Sequence, residues 1–224
     1  MAARNANIRA VQELSLDCWA MNPQPGLRER KKQRTRETIA HAARELFAEW
    51  GYHETTLPDI AEAADVSTRT IFAYFPSKED ILFSDFPLMR TALSQALAER
   101  PQGQDALETV REFILSSHKL EKSDLDERLH LCIERDETLR SHLRARIAQL
   151  EELIAPEIAK DLDAPVDDVR PQIVAASLTA AFNVLSEQSA GSSEKRAEDV
   201  AAQIDPVITF LRGGLDALKE PRRP

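Results

Sequence analysis

The chain has 224 residues, 42% of them apolar and 30% charged, and a net charge of −9. That length holds one large domain or a small and a medium one, and that balance supports a buried core and excludes disorder throughout. Its 6 glycines, against plentiful Ala, Leu, Glu and Arg, disfavour an all-β sandwich or barrel and favour helices.

Residues 1–27 read as a flexible N-terminal extension ending in the turn cluster Asn22-Pro23-Gln24-Pro25-Gly26. Within it, Ile8, Val11, Leu14, Leu16 and Trp19 mark a weak amphipathic helix, which fits either a docking arm or a plain tail. Arg28 to Arg36 then carry six basic residues and one acidic residue. Ile39, Ala43, Leu46, Phe47 and Trp50 follow on one helical face, and Gly51 stops that helix.

Thr56-Leu-Pro-Asp59 opens a second helix by a capping-box pattern, with Pro58 tolerated in the first turn. A turn at Asp65 follows, since Asp tolerates the left-handed region. Ser67 or Thr68 caps a third short helix through Tyr74, which Phe75-Pro76 ends, and Ser77-Lys-Glu-Asp80 opens a fourth. Two short helices about a tight turn, behind an amphipathic support helix, make a helix-turn-helix. Val66, Ile71 and Phe75 would face inward, and Thr68, Arg69, Phe72 and Ala73 outward. A large apolar Phe72 facing out is explained by a thymine methyl or the wall of a major groove.

The rest reads as helices at 78–99, 105–121, 124–136, 138–161, 167–190 and 194–219. Pro87 and Pro156 should kink two of them. Asp205-Pro206 either lies within the last helix or starts a separate one. The charge is uneven: residues 1–78 hold 11 basic and 10 acidic side chains, and residues 79–224 hold 18 and 28. An acidic body with a basic local face remains compatible with nucleic acid, because screening confines each field to ~8–10 Å. Cys18 and Cys132 form no disulfide framework, which suits a reducing cytosol, and residues 1–20 lack a secretory pattern; the expected location is the cytoplasm. No run of about 18 apolar residues is present to cross a membrane.

Residues 34–83 resemble the DNA-binding domain of TetR/AcrR-type bacterial transcriptional regulators. The likeness lies in Thr35-Arg36-Glu-Thr-Ile39, Ala42-Ala-Arg-Glu-Leu-Phe47, Gly51-Tyr52, Thr55-Thr56, Asp59-Ile-Ala61, Ala64-Asp-Val-Ser67 and Phe72-Ala-Tyr-Phe-Pro-Ser-Lys-Glu79. The family often has Gly at Asp65 and Tyr at Phe72, so a contact through that hydroxyl is absent here. The resemblance implies an all-α fold: a helix-turn-helix DNA-binding domain over 28–83 and a larger helical effector-binding and dimerisation domain over 84–224. It implies a homodimer on a palindromic double-stranded DNA operator, most simply a repressor released by a small-molecule effector.

Carried over by position, Thr68, Arg69 and Phe72 would face bases, with Arg69 paired to guanine, and Ser67 is a further DNA-binding candidate. Arg34, Arg36, Thr56, Thr70, Tyr74 and Lys78 would hold phosphates. Thr56 and Ser77 also read as plain caps, and Tyr74 as a core tyrosine. The last two long helices would form the dimer interface, through Val174, Leu178, Ala181, Leu185, Val200, Ile204, Val207, Ile208 and Leu211. Nine of the twelve aromatics lie between Trp19 and Phe86, so an effector pocket in the body would be mostly aliphatic. Phe113, His118, His130, Arg135, Phe182 and Asn183 are its candidate side chains. Arg140, Arg144 and Arg146 are candidates for coenzyme A phosphates or a solvated face. Phe83 to Pro87 and Pro165 to Pro171 are similar to actinobacterial regulators of the mycofactocin-associated subgroup, which implies an effector of acyl-CoA type.

An enzyme is the rival class. The five histidines, at 41, 53, 118, 130 and 142, form no metal-binding spacing. No Gly-rich phosphate loop, dinucleotide motif or nucleophile–base pair is present, so no catalytic residue, metal or cofactor is expected. A helical adaptor that binds only protein is the remaining alternative, and salt-dependent DNA affinity separates the two.

Overall fold

The computed structural model describes residues 26–119, 124–165, 167–189 and 197–219. The amphipathic stretch Ile8 to Trp19, Cys18 and the loop expected at 190–193 lie outside the described residues. Among the described residues every regular element is an α-helix.

The chain forms two compact units. The first takes residues from 1–87 and 122–139, the second from 88–121 and 140–224. In the first, α1 (Leu27–Trp50) packs against α2 (Leu57–Ala63), α4 (Lys78–Leu82) and α7 (Asp124–Glu134), while α3 (Thr68–Tyr74) packs on α2. Ile39, Ala43 and Phe47 of α1 are fully buried, as are Ile60, Ile81 and Leu139, and Leu129 is nearly so. Each such large side chain contributes about 1.5–3 kcal/mol when fully removed from water. Trp50, expected on the buried face, is 50% exposed at the last residue of α1.

The second unit is built on α6 (Ala106–Lys119), α9 (Glu151–Asp161), α10 (Arg170–Ser189) and α11 (Ala197–Lys219). α6 packs on α9 and α11, and α10 packs on both α9 and α11. Leu93 and Leu97 of α5 (Phe86–Ala98) join Leu107, Val110, Ile154, Ile158, Leu178, Ile204 and Ile208 in an aliphatic core. Two ion-pair clusters staple its edges. Arg111 and Arg212 tie α6 to α11 through Asp205, Asp105 and Glu108, and Arg100 reaches Glu157 and Asp161.

Two expected helices are each divided. The 78–99 helix is α4 and α5, separated at Phe83-Ser84-Asp85. Pro87 has no N–H to give to Phe83; instead Phe86 N–H donates to the Phe83 carbonyl at 3.0 Å. Pro87 then falls in the first turn of α5, where a missing N–H costs nothing. The 138–161 helix is α8 (Glu137–Ala148) and α9, separated where Gln149 and Leu150 donate to Arg146 and Ile147 in tight i to i+3 turns. Pro156 and Pro206 are both absorbed inside helices, and α11 runs unbroken through Pro206, so no separate helix starts at Asp205.

Candidate nucleic-acid interface

The helix-turn-helix is fixed by short-range chemistry. The Thr56 hydroxyl accepts the Asp59 N–H at 3.3 Å, and the Thr56 N–H donates to the Asp59 carboxylate at 2.8 Å. The Thr56 hydroxyl also donates to that carboxylate at 2.6 Å, and this bond, with the one from the Thr56 N–H, holds the Asp59 carboxyl below the usual 3.8. Asp65 makes the turn with φ 52°, and Val66 N–H closes it on the Ala61 carbonyl at 2.9 Å. Ser67 caps α3 by accepting the Thr70 N–H at 3.1 Å, and its hydroxyl lies 2.8 Å from that of Thr70. Ile71 and Phe75, both 1% exposed, anchor the inner face of α3.

The opposite face is open. Arg69, Phe72 and Ala73 are exposed, Phe72 by 56%, and Thr68, Thr70 and Tyr74 are half-buried beside them. Val66, expected inside, is also half-buried. The face therefore presents a guanidinium, a flat apolar ring and hydroxyls, the donor and apolar groups that base edges and thymine methyls accept.

The basic run is helical, not an extended arm. Arg28, Arg30, Lys31, Lys32 and Arg34 all stand exposed on the first turns of α1. Arg36 is placed differently from Arg34. Its Nη1 donates to the carbonyl of Tyr74 at 2.9 Å, and its guanidinium lies 4.2 Å from the centre of the Phe75 ring. Lys78 is also engaged. Its ammonium donates to the carbonyls of Tyr52 and Thr55 at 2.7 and 2.9 Å and sits 4.0 Å above the Tyr52 ring. Burial draws its pKa below the usual 10.5, with the Glu79 charge opposing. Burial and the adjacent Glu79 push the Tyr52 phenol well above its ordinary range.

Two tethers were not anticipated. Arg44 pairs with Asp85 and with Asp126 of α7, and His53 pairs with Asp136. The signal for Arg44 was a cation set between the buried Ala43 and Phe47, where a carboxylate partner is needed. For His53 no local signal exists.

The other candidates divide. His130 and Arg135 belong to the first unit, Arg135 exposed, whereas Phe113, Phe182 and Asn183 are half-buried in the second. The two sets are therefore not gathered within one unit. His118 lies on α6, its side chain outside the described residues. Of the expected dimer positions, Val174, Leu178, Ile204, Ile208 and Leu211 are 1–6% exposed within the single chain, so the monomer core occupies them. Ala181, Leu185, Val200 and Val207 are half-buried. The outward faces of α10 and α11 carry other residues: Ile173, Ala176, Ala180 and Val184, and Phe210, Gly213, Gly214 and Ala217.

Comparison with known proteins gives two family matches. The profile described as bacterial regulatory proteins, tetR family, matches residues 39–84, and that of the MftR C-terminal domain matches residues 101–216. The chain is 32% identical to the HTH-type transcriptional regulator TcmR of Streptomyces glaucescens, over 89% of this chain and 92% of TcmR. It is 27% identical to MftR of Mycobacterium tuberculosis, assigned by name to mycofactocin biosynthesis, over 85% and 96% of the two chains. The fold is similar to that of Thermus thermophilus FadR, a TetR-family repressor solved with lauroyl-CoA. The TM-score is 0.54 at 24% identity, over 84% of this chain and 98% of FadR.

Proposed function

The chain belongs to the TetR family of bacterial regulatory proteins, with an MftR-type C-terminal domain, and from that premise we propose a ligand-responsive repressor that binds a palindromic operator as a homodimer. It is a transcriptional regulator, as its relatives are, and not an enzyme. The observation that carries the reading is the exposed Arg69–Phe72–Ala73 face of a short helix capped at one end and anchored by Ile71 and Phe75.

Residues 28–83 would be the DNA-binding domain and 84–224 the effector and dimerisation domain. Two copies of α3 would enter successive major grooves about 34–36 Å apart. Arg69 would read guanine, Phe72 a thymine methyl, and Thr68 and Ser67 the flank. Arg34, Thr56, Thr70 and Tyr74 would lie on phosphates. So would Lys78, whose ammonium has three donors, two of them already fixed on carbonyls.

The dimer would form through the outward faces of α10 and α11. Ile173 and Val184 on α10 and Phe210 on α11 are 56%, 52% and 78% exposed. Gly213 and Gly214 each cost α11 about 1 kcal/mol relative to Ala. A Cβ at either meets nothing within 4 Å, so the single chain gives no packing reason for them. A second copy approaching closely at that point supplies one. The aliphatic interior of the second unit, the MftR-type domain and the fold shared with a lauroyl-CoA-binding repressor support an acyl-chain effector.

The test is titration of the full chain against the intergenic DNA upstream of its own gene, at two salt concentrations, with Arg69→Ala alongside. Saturable, sequence-selective and salt-dependent binding is expected, with selectivity reduced in the variant. Binding no tighter than to random DNA would favour the adaptor reading.

A further inference from the structure

Helix α3 is seven residues long and ends at Tyr74. Its last carbonyls have no intrahelical partner, and they carry the negative end of the helix dipole. The Phe75 N–H closes back on Ile71, so the Tyr74 carbonyl is left to find a donor elsewhere. It finds the Arg36 guanidinium, 38 residues earlier in the chain, at 2.9 Å. The same guanidinium lies over the face of Phe75, whose ring is 1% exposed and part of the core. Arg36 stands one helical turn before Ile39, the fully buried residue that begins the inner face of α1. The side chain therefore joins the rigid support helix to the far end of the reading helix by a hydrogen bond, a dipole interaction and a ring contact at once.

We infer that Arg36 is a positioning residue for sequence recognition: it fixes the C-terminal end of α3 on α1, and with it the pose from which Arg69 and Phe72 meet bases. Part of its donor set is held inside the protein, whereas Arg34, two residues earlier, stands exposed. Truncating it loosens the Tyr74 end of α3, leaving only the Ile71 and Phe75 anchors there, while the Ser67 cap still holds the other end. A tilted reading helix loses base contacts and keeps backbone contacts, so the loss falls on specificity. The inference rests on the DNA-binding reading above.

The experiment compares the full-length protein with Arg36→Gln, Arg36→Ala and Arg34→Ala. The probes are a duplex enriched from a random pool by the wild-type protein and an unselected duplex of equal length. Hydrogen exchange of the amides from Thr70 to Phe75 is measured in parallel, without DNA. For Arg36→Ala we expect about tenfold weaker binding to the enriched duplex, from an interaction at a partly buried helix end. Binding to the unselected duplex stays within about twofold, the salt slope is unchanged, and exchange at the end of α3 accelerates. Arg34→Ala instead lowers the slope by about 1.8 for a dimer, from 0.9 per phosphate contact on each of two subunits. Arg36→Gln, which has no charge but keeps an amide donor, retains the wild-type slope.

Equal loss on both duplexes with a lower slope in the Arg36 variants makes Arg36 a phosphate ligand and overturns the inference. Unchanged exchange and unchanged selectivity overturn it as well. If the wild-type protein enriches no sequence, the DNA reading itself fails and the positioning role fails with it. Accelerated exchange at Thr70 to Phe75 would then show that the Arg36 contact is structural only.

Discussion

Arg69 and Asp136 show what one side chain can do here. Arg69 is exposed on α3 and, among the described residues, has no hydrogen-bond or ion-pair partner. Arg69→Ala should cost ~1–3 kcal/mol on the cognate site and relax discrimination at one base pair of each half-site. Equal losses on cognate and random duplexes, measured by competition, would sink that assignment. Asp136 is partly buried, which alone would raise its pKa. The N–H groups of Leu139 and Thr138 and the ring of His53 outweigh this and hold the carboxyl below 3.8. Asp59, held by Thr56, is shifted the same way. A depressed carboxylate stabilises the fold above its unfolded value and loses that contribution as pH falls through the folded value. Urea midpoints should thus fall progressively from about pH 5 downward; a flat profile would show that these bonds do not persist in solution. The caps at Thr56, Ser67 and Ser77 were legible because donor and acceptor lie three residues apart. The partners of Arg36 and Lys78 were not, since each is a carbonyl more than twenty residues away, and a carbonyl has no residue type to read.

At the scale of elements, α1 to α3 and the start of α4 followed from periodicity and turn chemistry, while the end of α4 and α5, α8 and α9 departed from expectation. Apolar spacing continues across residues 83–85 and 149–150, so it does not mark where hydrogen bonding switches from i+4 to i+3. Pro87 was the signal at the first break, and its consequence is a restart rather than a kink. Pro156 and Pro206 lie within helices without ending them. The register of α10 and α11 was legible only in part. A helix rich in Ala and apolar on most sides is plainly buried, but which stripe meets its own core and which stays outside depends on α6 and α9. The contact between α7 and α1 includes Arg44, whose side chain is 25% exposed and reaches two carboxylates. Arg44→Ala removes a partly exposed pair and leaves Asp126 beside α1. A loss of about 1 kcal/mol is expected, a fall in melting temperature of roughly 2–4 °C for a chain of this size. A change within error in thermal unfolding would mean that the apolar contacts of Leu129 suffice to hold α7.

For the whole molecule, the asymmetry of charge was visible in the sequence and has a structural counterpart. The first turns of α1 carry exposed cations, while the acidic excess lies after residue 78. The proposed second copy would meet the exposed Phe210 and, a turn further along α11, Gly213 and Gly214. Phe210→Glu should shift the protein to half its mass in sedimentation and abolish tight operator binding, since two linked reading helices are needed for specific affinity. A variant that still sediments as a dimer would place the interface elsewhere. Mutating Leu178 instead should unfold the second unit, as removal of a buried leucine costs ~2–5 kcal/mol.

The first unit is discontinuous: Leu129, Leu139, Asp126 and Asp136 come from residues 122–139, after the chain has already entered the second unit. This sets a timetable for synthesis. When Pro87 has been made, the helix-turn-helix has its own anchors and Arg44 has Asp85, but α7 is missing, and with it Asp126 for Arg44 and Asp136 for His53. Residues 88–139 take about 3–10 s to add at ~5–20 residues per second. For that interval the nascent chain carries its reading helix, its basic turns and an uncovered apolar flank of α1. A fragment cut at residue 87 would stay in that unfinished condition permanently, so an isolated reader requires residues 122–139 to be supplied as well.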